Sequence, residues 1–204
     1  MDSSSVQRIH GNIVKPIVYG NYAEKLSRAL PNNHSHKWRM FVRPFFDEDI
    51  GRYVRKVQFR LHDSYLNPLR TVESPPFEIE ETGWGEFEAS IKIFFVDSNE
   101  KPLTAAYYLR LFQPVISKPD GKPAVLYEHY DEIIFVDPTV QMATLLKEGT
   151  SKVPIKSPTD FASEKARNLE AINVALNEVN EEVDKLRVEL RQLAQQRLSR
   201  PTLE

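Results

Sequence analysis

The sequence has no cysteine, no excess of positive charge and no long apolar run. Without cysteine among its 204 residues, disulfides, cysteine-bound zinc and a thiol nucleophile are excluded, and a reducing compartment is favoured. Lysine plus arginine is 27 and aspartate plus glutamate is 29, giving a net charge of −2, so bulk positive charge does not drive binding to nucleic acid. No stretch approaches about 18 consecutive apolar residues, and the N-terminus lacks the apolar segment of a signal peptide. We therefore expect a soluble intracellular protein without a membrane segment.

The chain does carry enough apolar sequence for a packed core. Hydrophobic residues make up 41% of it and aromatic residues 10%, which is typical of a folded domain and not of a disordered chain. The 14 prolines are unevenly distributed, because none lies between Pro158 and Pro201. This gap indicates a change of architecture near residue 158.

Before the gap, short runs of alternating apolar residues are separated by turn-forming residues. Alternation with β-branched and aromatic side chains is typical of half-buried strands, and Asn67-Pro68 and Asp120-Gly121 are turn signals. About seven or eight such strands predict a mainly-β fold, namely an immunoglobulin-like antiparallel β-sandwich, with a closed barrel as the weaker alternative. The runs cover residues 38–43, 57–61, 87–95, 108–112 and 133–136.

We divide the chain into three parts. The sandwich is placed at residues 8–138, a short helix with a flexible linker at residues 139–159, and a long coiled-coil helix at residues 160–199. The linker follows from its glycine, serine, threonine, lysine and proline content.

The predicted C-terminal helix has apolar residues at both core positions of four consecutive heptads. Such a narrow stripe is typical of a coiled coil, and Glu182 and Arg187 stand where charges pair between parallel helices. A single amphipathic helix packed on its own domain is the weaker alternative. The stripe consists of Leu169, Ile172, Leu176, Val179, Val183, Leu186, Leu190 and Leu193.

One loop carries an exposed-looking tryptophan between two glycines. Trp84 lies between Gly83 and Gly85 just before a predicted strand, and a large ring in such a loop is typical of a binding wall. Upstream, the segment LHDSY contains His62 and Ser64 two residues apart, so an extended backbone would direct both to one face. A turn after Ser64 would bring the hydroxyl and the next ring together.

Several segments together resemble the YEATS domain family, in the glioma-amplified-sequence branch that carries a C-terminal coiled coil. They are HKWRMFVR, LHDSY, NPLRTVESPPFEIEETGWGEFE and YDEIIFVDPT, and with the heptads the resemblance covers nearly the whole chain. It implies an immunoglobulin-like sandwich that recognises acetylated or crotonylated lysine on histone tails and uses no cofactor or metal. It also implies a nuclear protein in complexes that remodel chromatin or acetylate histones and regulate transcription.

The resemblance implies an acyl-lysine site. Tyr65 and Trp84 match the two aromatic walls that enclose the acyl group, while Ser64 matches the hydroxyl that bonds the acyl-lysine amide and His62 the residue that orients it. An acylated lysine is a neutral amide with a flat tip, so opposed aromatic faces and a donor–acceptor pair suit it. A methyl-lysine cage would instead surround a cation with several rings.

Three further residues are implied by the resemblance. Gly83 and Gly85 match the glycines of the loop that lets the Trp84 backbone N–H reach the acyl oxygen, and His34 matches an additional wall. The expected partners are acylated histone tails and subunits of the chromatin complexes. The sequence leaves open whether the C-terminal helix pairs with a second copy or with a helix of another protein. Nearby acidic residues are expected to attract a basic peptide: Asp63, Glu78, Glu80, Glu81 and Glu86.

Other interpretations remain open from the sequence. A hydrolase would use Ser64 and His62, but the chain has no GxSxG segment and no marked third member. His34 and His36 could hold a metal, but no third ligand has a recognisable spacing. The protein could also be a scaffold that functions through its helix alone. Weak or no direct DNA binding is expected, because the basic strand residues are scattered: Arg39, Arg43, Arg52, Arg55 and Lys56.

Overall fold

Two antiparallel β-sheets face each other in the N-terminal part of the protein. The computed structural model describes residues 6–118, 121–157 and 161–198, and the chain divides into two units, residues 1–156 and 157–204. In sequence order the elements are β1 (Asn12–Lys25), β2 (His36–Pro44), a 3-10 turn (Ile50–Arg52), β3 (Val54–Arg60), β4 (Leu69–Val72), β5 (Phe77–Gly83), β6 (Glu88–Phe95), β7 (Leu103–Tyr108), β8 (Val115–Ser117), β9 (Pro123–Val136), α1 (Val140–Lys147) and α2 (Phe161–Leu198).

The strands form the two layers of a sandwich, and the predicted mainly-β antiparallel fold is confirmed. One sheet has the strand order β5-β2-β1-β9-β8 and the other the order β4-β3-β6-β7. Alternate residues of each strand enter the core between the sheets, as the pleat requires. On β2 these include Trp38 and Met40, and on β6 they include Ile91 and Ile93, all of them buried.

One predicted strand is wrong. Residues 108–112 alternate in apolar character, but β7 ends at Tyr108 and the following residues form a loop. Leu109 and Leu111 are buried, which produces the alternation. From Arg110 onward, however, the backbone N–H groups of residues 110–112 donate to side chains instead of to a strand. The backbone of Arg110 is held by the amide of Asn21. Alternation therefore reports burial here and not strand pairing.

The predicted flexible linker is also partly wrong. Residues 153–155 run alongside the segment after β2, because the Asp47 N–H donates to the carbonyl of Val153 at 2.8 Å and the Ile155 N–H donates to that of Phe45 at 2.9 Å. Backbone hydrogen bonds thus tie residues 153–155 to the sandwich unit, although the residues on either side of them are polar. The predicted linker end at residues 158 and 159 lies outside the described residues.

The second unit contains helix α2, which has 38 residues. The eight residues of the predicted apolar stripe, which would form the seam of a coiled coil, all lie within α2. They are exposed in the single chain, from 38% for Val183 to 66% for Leu190. The predicted ends at residues 160 and 199 lie outside the described residues. No described helix is both long enough and apolar enough to cross a membrane.

Candidate functional site

The segment after β3 forms a tight turn that gathers three of the predicted site residues. The Tyr65 N–H donates to the carbonyl of His62 at 3.0 Å, and aspartate and serine in the middle of the segment favour such a turn. His62, Ser64 and Tyr65 consequently line one cleft, whereas Asp63 bonds to Arg60 at 3.1 Å. The turn, and not an extended backbone, brings them together.

A second group of site residues comes from the end of β5 and the start of β2. These strands are antiparallel neighbours, with His36 opposite Gly83, and the Ser35 N–H donates to the Gly83 carbonyl at 3.0 Å. The residue before β2 therefore stands beside the loop after β5. This pairing places His34 and Trp84 on the same cleft.

The cleft has a volume of about 530 Å³. Six of the seven residues implied by the resemblance line it, and Gly83 lies behind Tyr65 instead. Its lining also contains residues that the sequence analysis did not identify as cleft residues, and no local signal marks them because they approach through strand pairing and turns. The whole lining is Asn32, His34, His62, Ser64, Tyr65, Leu66, Glu81, Trp84, Gly85, Glu86 and Phe87.

Tyr65 is fixed by its neighbours. Its hydroxyl donates to the carbonyl of Thr82 at 3.0 Å, and its ring centroid lies 6.0 Å from that of Trp38 and 5.5 Å from that of Phe87. Burial raises the pKa of Tyr65, and the nearby indole N–H of Trp38 partly opposes that rise. The Trp38 Nε1 atom itself has no partner of good hydrogen-bond geometry within the described residues. These contacts hold the Tyr65 ring in place as one wall of the cleft, and the raised pKa keeps its hydroxyl protonated.

Trp84 forms a contrasting, open wall. Its side chain is 70% exposed, and within the described ranges its ring has no aromatic partner. An exposed indole leaves an apolar face for a ligand to cover. The cleft therefore has one preformed wall and one wall whose burial requires an occupant.

Gly83 and Gly85 differ in what they permit. Neither has a positive φ. A Cβ atom on Gly83 would stand 2.6 Å from the Tyr65 hydroxyl and 3.2 Å from the Trp38 Nε1 atom, whereas one on Gly85 would meet nothing within 4 Å. Gly83 therefore allows the close approach of Tyr65, and the structure shows no packing reason for a glycine at Gly85.

His62 and Ser64 form a bonded pair at the rim of the cleft. The His62 Nδ1 atom lies 2.9 Å from the Ser64 Oγ atom and 3.2 Å from the Ser64 backbone nitrogen. Because a backbone N–H can only donate, Nδ1 is the acceptor and the Ser64 hydroxyl also donates to it. The lone pairs of the Ser64 oxygen remain available to accept a hydrogen bond from a ligand amide.

The side wall near His34 is held by Thr82. The His34 Nδ1 atom lies 2.7 Å from the Thr82 Oγ1 atom, and the ring lies 6.3 Å from Tyr65. His36 instead packs edge-on against Phe112, and burial, with a smaller effect of the Lys25 charge, lowers its pKa. No group of three metal-ligating side chains occurs in the described part of the chain.

The acidic residues expected to attract a basic peptide are each paired with a cation, at distances from 2.8 to 3.8 Å. Because pairing cancels most of the field outside the protein, attraction from this side is weaker than the bare charges suggest. The pairs are Arg60–Asp63, Arg39–Glu78, Lys37–Glu80, Arg70–Glu81 and Arg110–Glu86.

Comparison with known proteins identifies the family. Residues 33–113 match the YEATS family. The protein named Protein AF-9 homolog of Saccharomyces cerevisiae is 34% identical over 208 residues, which covers 91% of this chain and 92% of that protein. The chain belongs to the YEATS family. Transcription initiation factor TFIID subunit 14b of Arabidopsis thaliana is 45% identical over 126 residues, or 61% of this chain and 47% of that protein.

Solved structures of YEATS domains resemble the sandwich unit. A crystal structure of the Yaf9 YEATS domain bound to H3K27ac is 40% identical, with a TM-score of 0.59, and covers 71% of this chain and 98% of that chain. A structure of the same domain recognising an H3K122suc peptide has 40% identity, a TM-score of 0.56 and the same coverage. The Yaf9 YEATS domain thus holds H3K27ac in one structure and an H3K122suc peptide in the other.

Proposed function

We propose that this protein is a nuclear reader of acylated lysine on histone tails. The single observation that supports this most is the cleft that Tyr65, Trp84 and Ser64 line together, with the Ser64 hydroxyl bonded to His62. A flat, uncharged acyl amide fits between two rings and leaves its N–H for the free lone pairs of Ser64. The complexes of Yaf9 with H3K27ac and with an H3K122suc peptide give the same class of ligand for a close relative.

In this proposal the residues implied by the resemblance have separate roles. Tyr65 and Trp84 enclose the acyl group, Ser64 accepts from its amide N–H, and His62 holds the serine hydroxyl. The backbone N–H of Trp84 donates to the acyl oxygen. His34 forms a third wall, and Gly83 gives Tyr65 its position.

The protein is a binding protein and not an enzyme. A hydrolase that uses Ser64 would need a third group to orient His62 and stabilise its charged form. In the described ranges the His62 imidazole bonds only to Ser64, and it packs 6.3 Å from Phe87. The serine therefore acts as a hydrogen-bond partner.

The C-terminal helix has the second role in the proposal. We infer that its apolar stripe forms a coiled coil, as in the glioma-amplified-sequence branch, and joins the reader to complexes that remodel chromatin or acetylate histones. A second copy is an alternative partner for the stripe, and direct DNA binding is weak or absent. Tethering within a complex raises the effective concentration of a low-affinity reader.

Titration of acetylated and unmodified histone H3 peptides tests the reader. Each stacking contact contributes about 0.5–1.5 kcal/mol beyond buried area, so Trp84→Ala should weaken binding of the acetylated peptide about tenfold or more. Ser64→Ala should weaken it about fivefold, because one hydrogen bond contributes about 1 kcal/mol net. Tyr108→Ala is the matched control, since Tyr108 is also an exposed ring but does not line the cleft. Equal affinity for both peptides, or an unaffected Trp84→Ala protein, would contradict the proposal.

A further inference from the structure

Strand β9 is paired along its length on one side only. On the β1 side the pairing runs from Val125 to Val136, whereas β8 covers only Pro123–Val125 on the other side. Among the described residues no further strand lies beside β9 there. Residues 126–136 thus form an open sheet edge, which we call the β9 edge.

The register shows which backbone groups point to the open side. Pro16 stands opposite Glu132, and the Pro16 carbonyl accepts from the Phe45 N–H at 3.0 Å, on the side away from β9. Because proline has no N–H either, this pair is not hydrogen-bonded across the strands. The N–H and C=O of Glu132 therefore point outward, and so do those of Tyr130 and Ile134 by alternation.

Within the described ranges, the outward N–H of Glu132 bonds only to the side chain of the preceding residue. It donates to the Asp131 carboxylate at 2.8 Å. A row of outward N–H and C=O groups spaced every second residue is the template on which an extended chain adds as a new strand. Among the described residues, the β9 edge thus presents a ladder of backbone groups that no strand pairs.

On one face of this ladder, three exposed apolar side chains flank Glu132. Tyr130, Ile134 and Val136 are 50%, 55% and 62% exposed and share a face because an even number of positions separates each from the others. Val14, which stands directly opposite Ile134 on β1, is also exposed. An added strand would cover this apolar surface with its own alternate side chains.

The charge of the β9 edge selects the kind of strand. Asp131 and Glu132 are both exposed, and within the described part of the chain neither forms an ion pair, unlike the paired carboxylates around the cleft. A second copy would bring two such acidic edges together, and like charges opposite each other destabilise strand pairs. A basic extended segment would form hydrogen bonds with the outward backbone groups and ion pairs with the two carboxylates.

We propose that the β9 edge accepts an extended, lysine- or arginine-bearing segment of a partner protein as an added strand. This site is distinct from the acyl-lysine cleft and does not depend on it. The backbone ladder supplies affinity, the apolar face contacts alternate side chains, and Asp131 and Glu132 favour basic residues on the incoming strand.

The test uses the full chain and a synthetic ten-residue peptide of alternating valine and lysine. Amide hydrogen exchange followed by NMR should slow at least tenfold at Tyr130, Glu132 and Ile134 when the peptide is added in excess. The inward amides of Ile133 and Phe135 should not change, because β1 already bonds them. The same peptide with glutamate in place of lysine should give no slowing, and one with methylated backbone nitrogens should also fail.

Two variants keep the test decisive. Ile134→Pro removes one outward N–H without removing a β1 bond, and edge strands tolerate proline, so the slowing should be lost. Ile134→Thr, which keeps the N–H, should retain it. If Ile134→Pro is poorly folded, Asp131→Lys with Glu132→Lys should instead transfer the preference to the glutamate peptide.

Three results would overturn the proposal. They are absence of slowing at the outward amides, equal slowing with both peptides, and slowing without peptide that rises with protein concentration and disappears in Ile134→Pro. The last would identify a second copy as the occupant. Binding of acetylated peptide by Ile134→Pro should equal that of the natural protein, so failure of this proposal and failure of the reader proposal are distinguishable.

Discussion

At the scale of single residues, the cleft depends on one missing side chain. Gly83 is required by contact and not by backbone angle, because a Cβ atom there would stand 2.6 Å from the Tyr65 hydroxyl. Tyr65 in turn bonds the Thr82 carbonyl. The position of one proposed wall is therefore controlled by a residue that does not itself line the cleft.

The two glycines that flank Trp84 provide a matched pair of variants. Gly83→Ala should displace Tyr65, cost about 1–3 kcal/mol of stability through overpacking, and weaken acetyl-peptide binding about fivefold or more. Gly85→Ala should change stability by less than about 0.5 kcal/mol, since nothing lies within 4 Å of its Cβ position. Thermal unfolding and peptide titration measure both effects. Equal behaviour of the two variants would refute this account of Gly83.

At the scale of elements, helix α2 leaves its apolar stripe uncovered in a single chain. A single amphipathic helix in water exposes its apolar stripe, and helices of this kind obtain their stability from packing. All eight predicted seam residues are exposed in the single chain. The exposed stripe therefore requires a partner helix to cover it, and a coiled coil would supply that helix.

The seam is tested by charges placed on or off it. Leu176→Asp with Leu186→Asp should weaken self-association or incorporation into a complex at least tenfold, because two charges would enter an apolar interface. Val174→Asp with Val188→Asp is the control: those residues are 53% and 51% exposed, as are the leucines at 54% and 50%, but they lie off the heptad stripe. Light scattering gives the mass and circular dichroism shows that the sandwich remains folded. Similar losses in both proteins would refute the seam assignment.

At the scale of the whole sandwich unit, one buried amide joins distant parts of the chain. Asn21 on β1 is fully buried. Its Nδ2 donates to the Arg110 carbonyl at 2.6 Å, and its Oδ1 accepts from the Tyr107 hydroxyl at 2.7 Å and from the Arg110 N–H at 2.9 Å. Asn21 thus connects the sheet that contains β1 to strand β7 of the other sheet and to the loop that follows β7.

Loss of this connection should be costly. Asn21→Ala leaves the backbone N–H and C=O of Arg110 without partners, and each unsatisfied buried group costs about 1–3 kcal/mol, so we expect about 2–4 kcal/mol of destabilisation in urea unfolding. Tyr107→Phe removes one donor only and should cost about 1 kcal/mol. If Asn21→Ala costs no more than Tyr107→Phe, the loop is not held by this amide.

Part of this architecture could be predicted from the sequence, because its signals lie between near neighbours along the chain. Alternation on β2 and β6 identified strands, and a period of seven identified the C-terminal helix. Alternation at residues 108–112 wrongly predicted a strand, since buried leucines there alternate without strand pairing. The polar residues around Val153 and Ile155 led to the opposite error, a predicted flexible linker, because backbone hydrogen bonds hold these two residues beside the segment after β2.

The sequence by itself determined the type of each regular segment that it identified, and the family resemblance identified most of the cleft residues, because both are properties of contiguous residues. Only the tertiary structure decided that His34, the turn at residues 62–65 and Trp84 meet, that Gly83 serves Tyr65, and that one side of β9 stays open. The physical reason is that these outcomes depend on strand pairing and register, which bring together residues far apart in the chain.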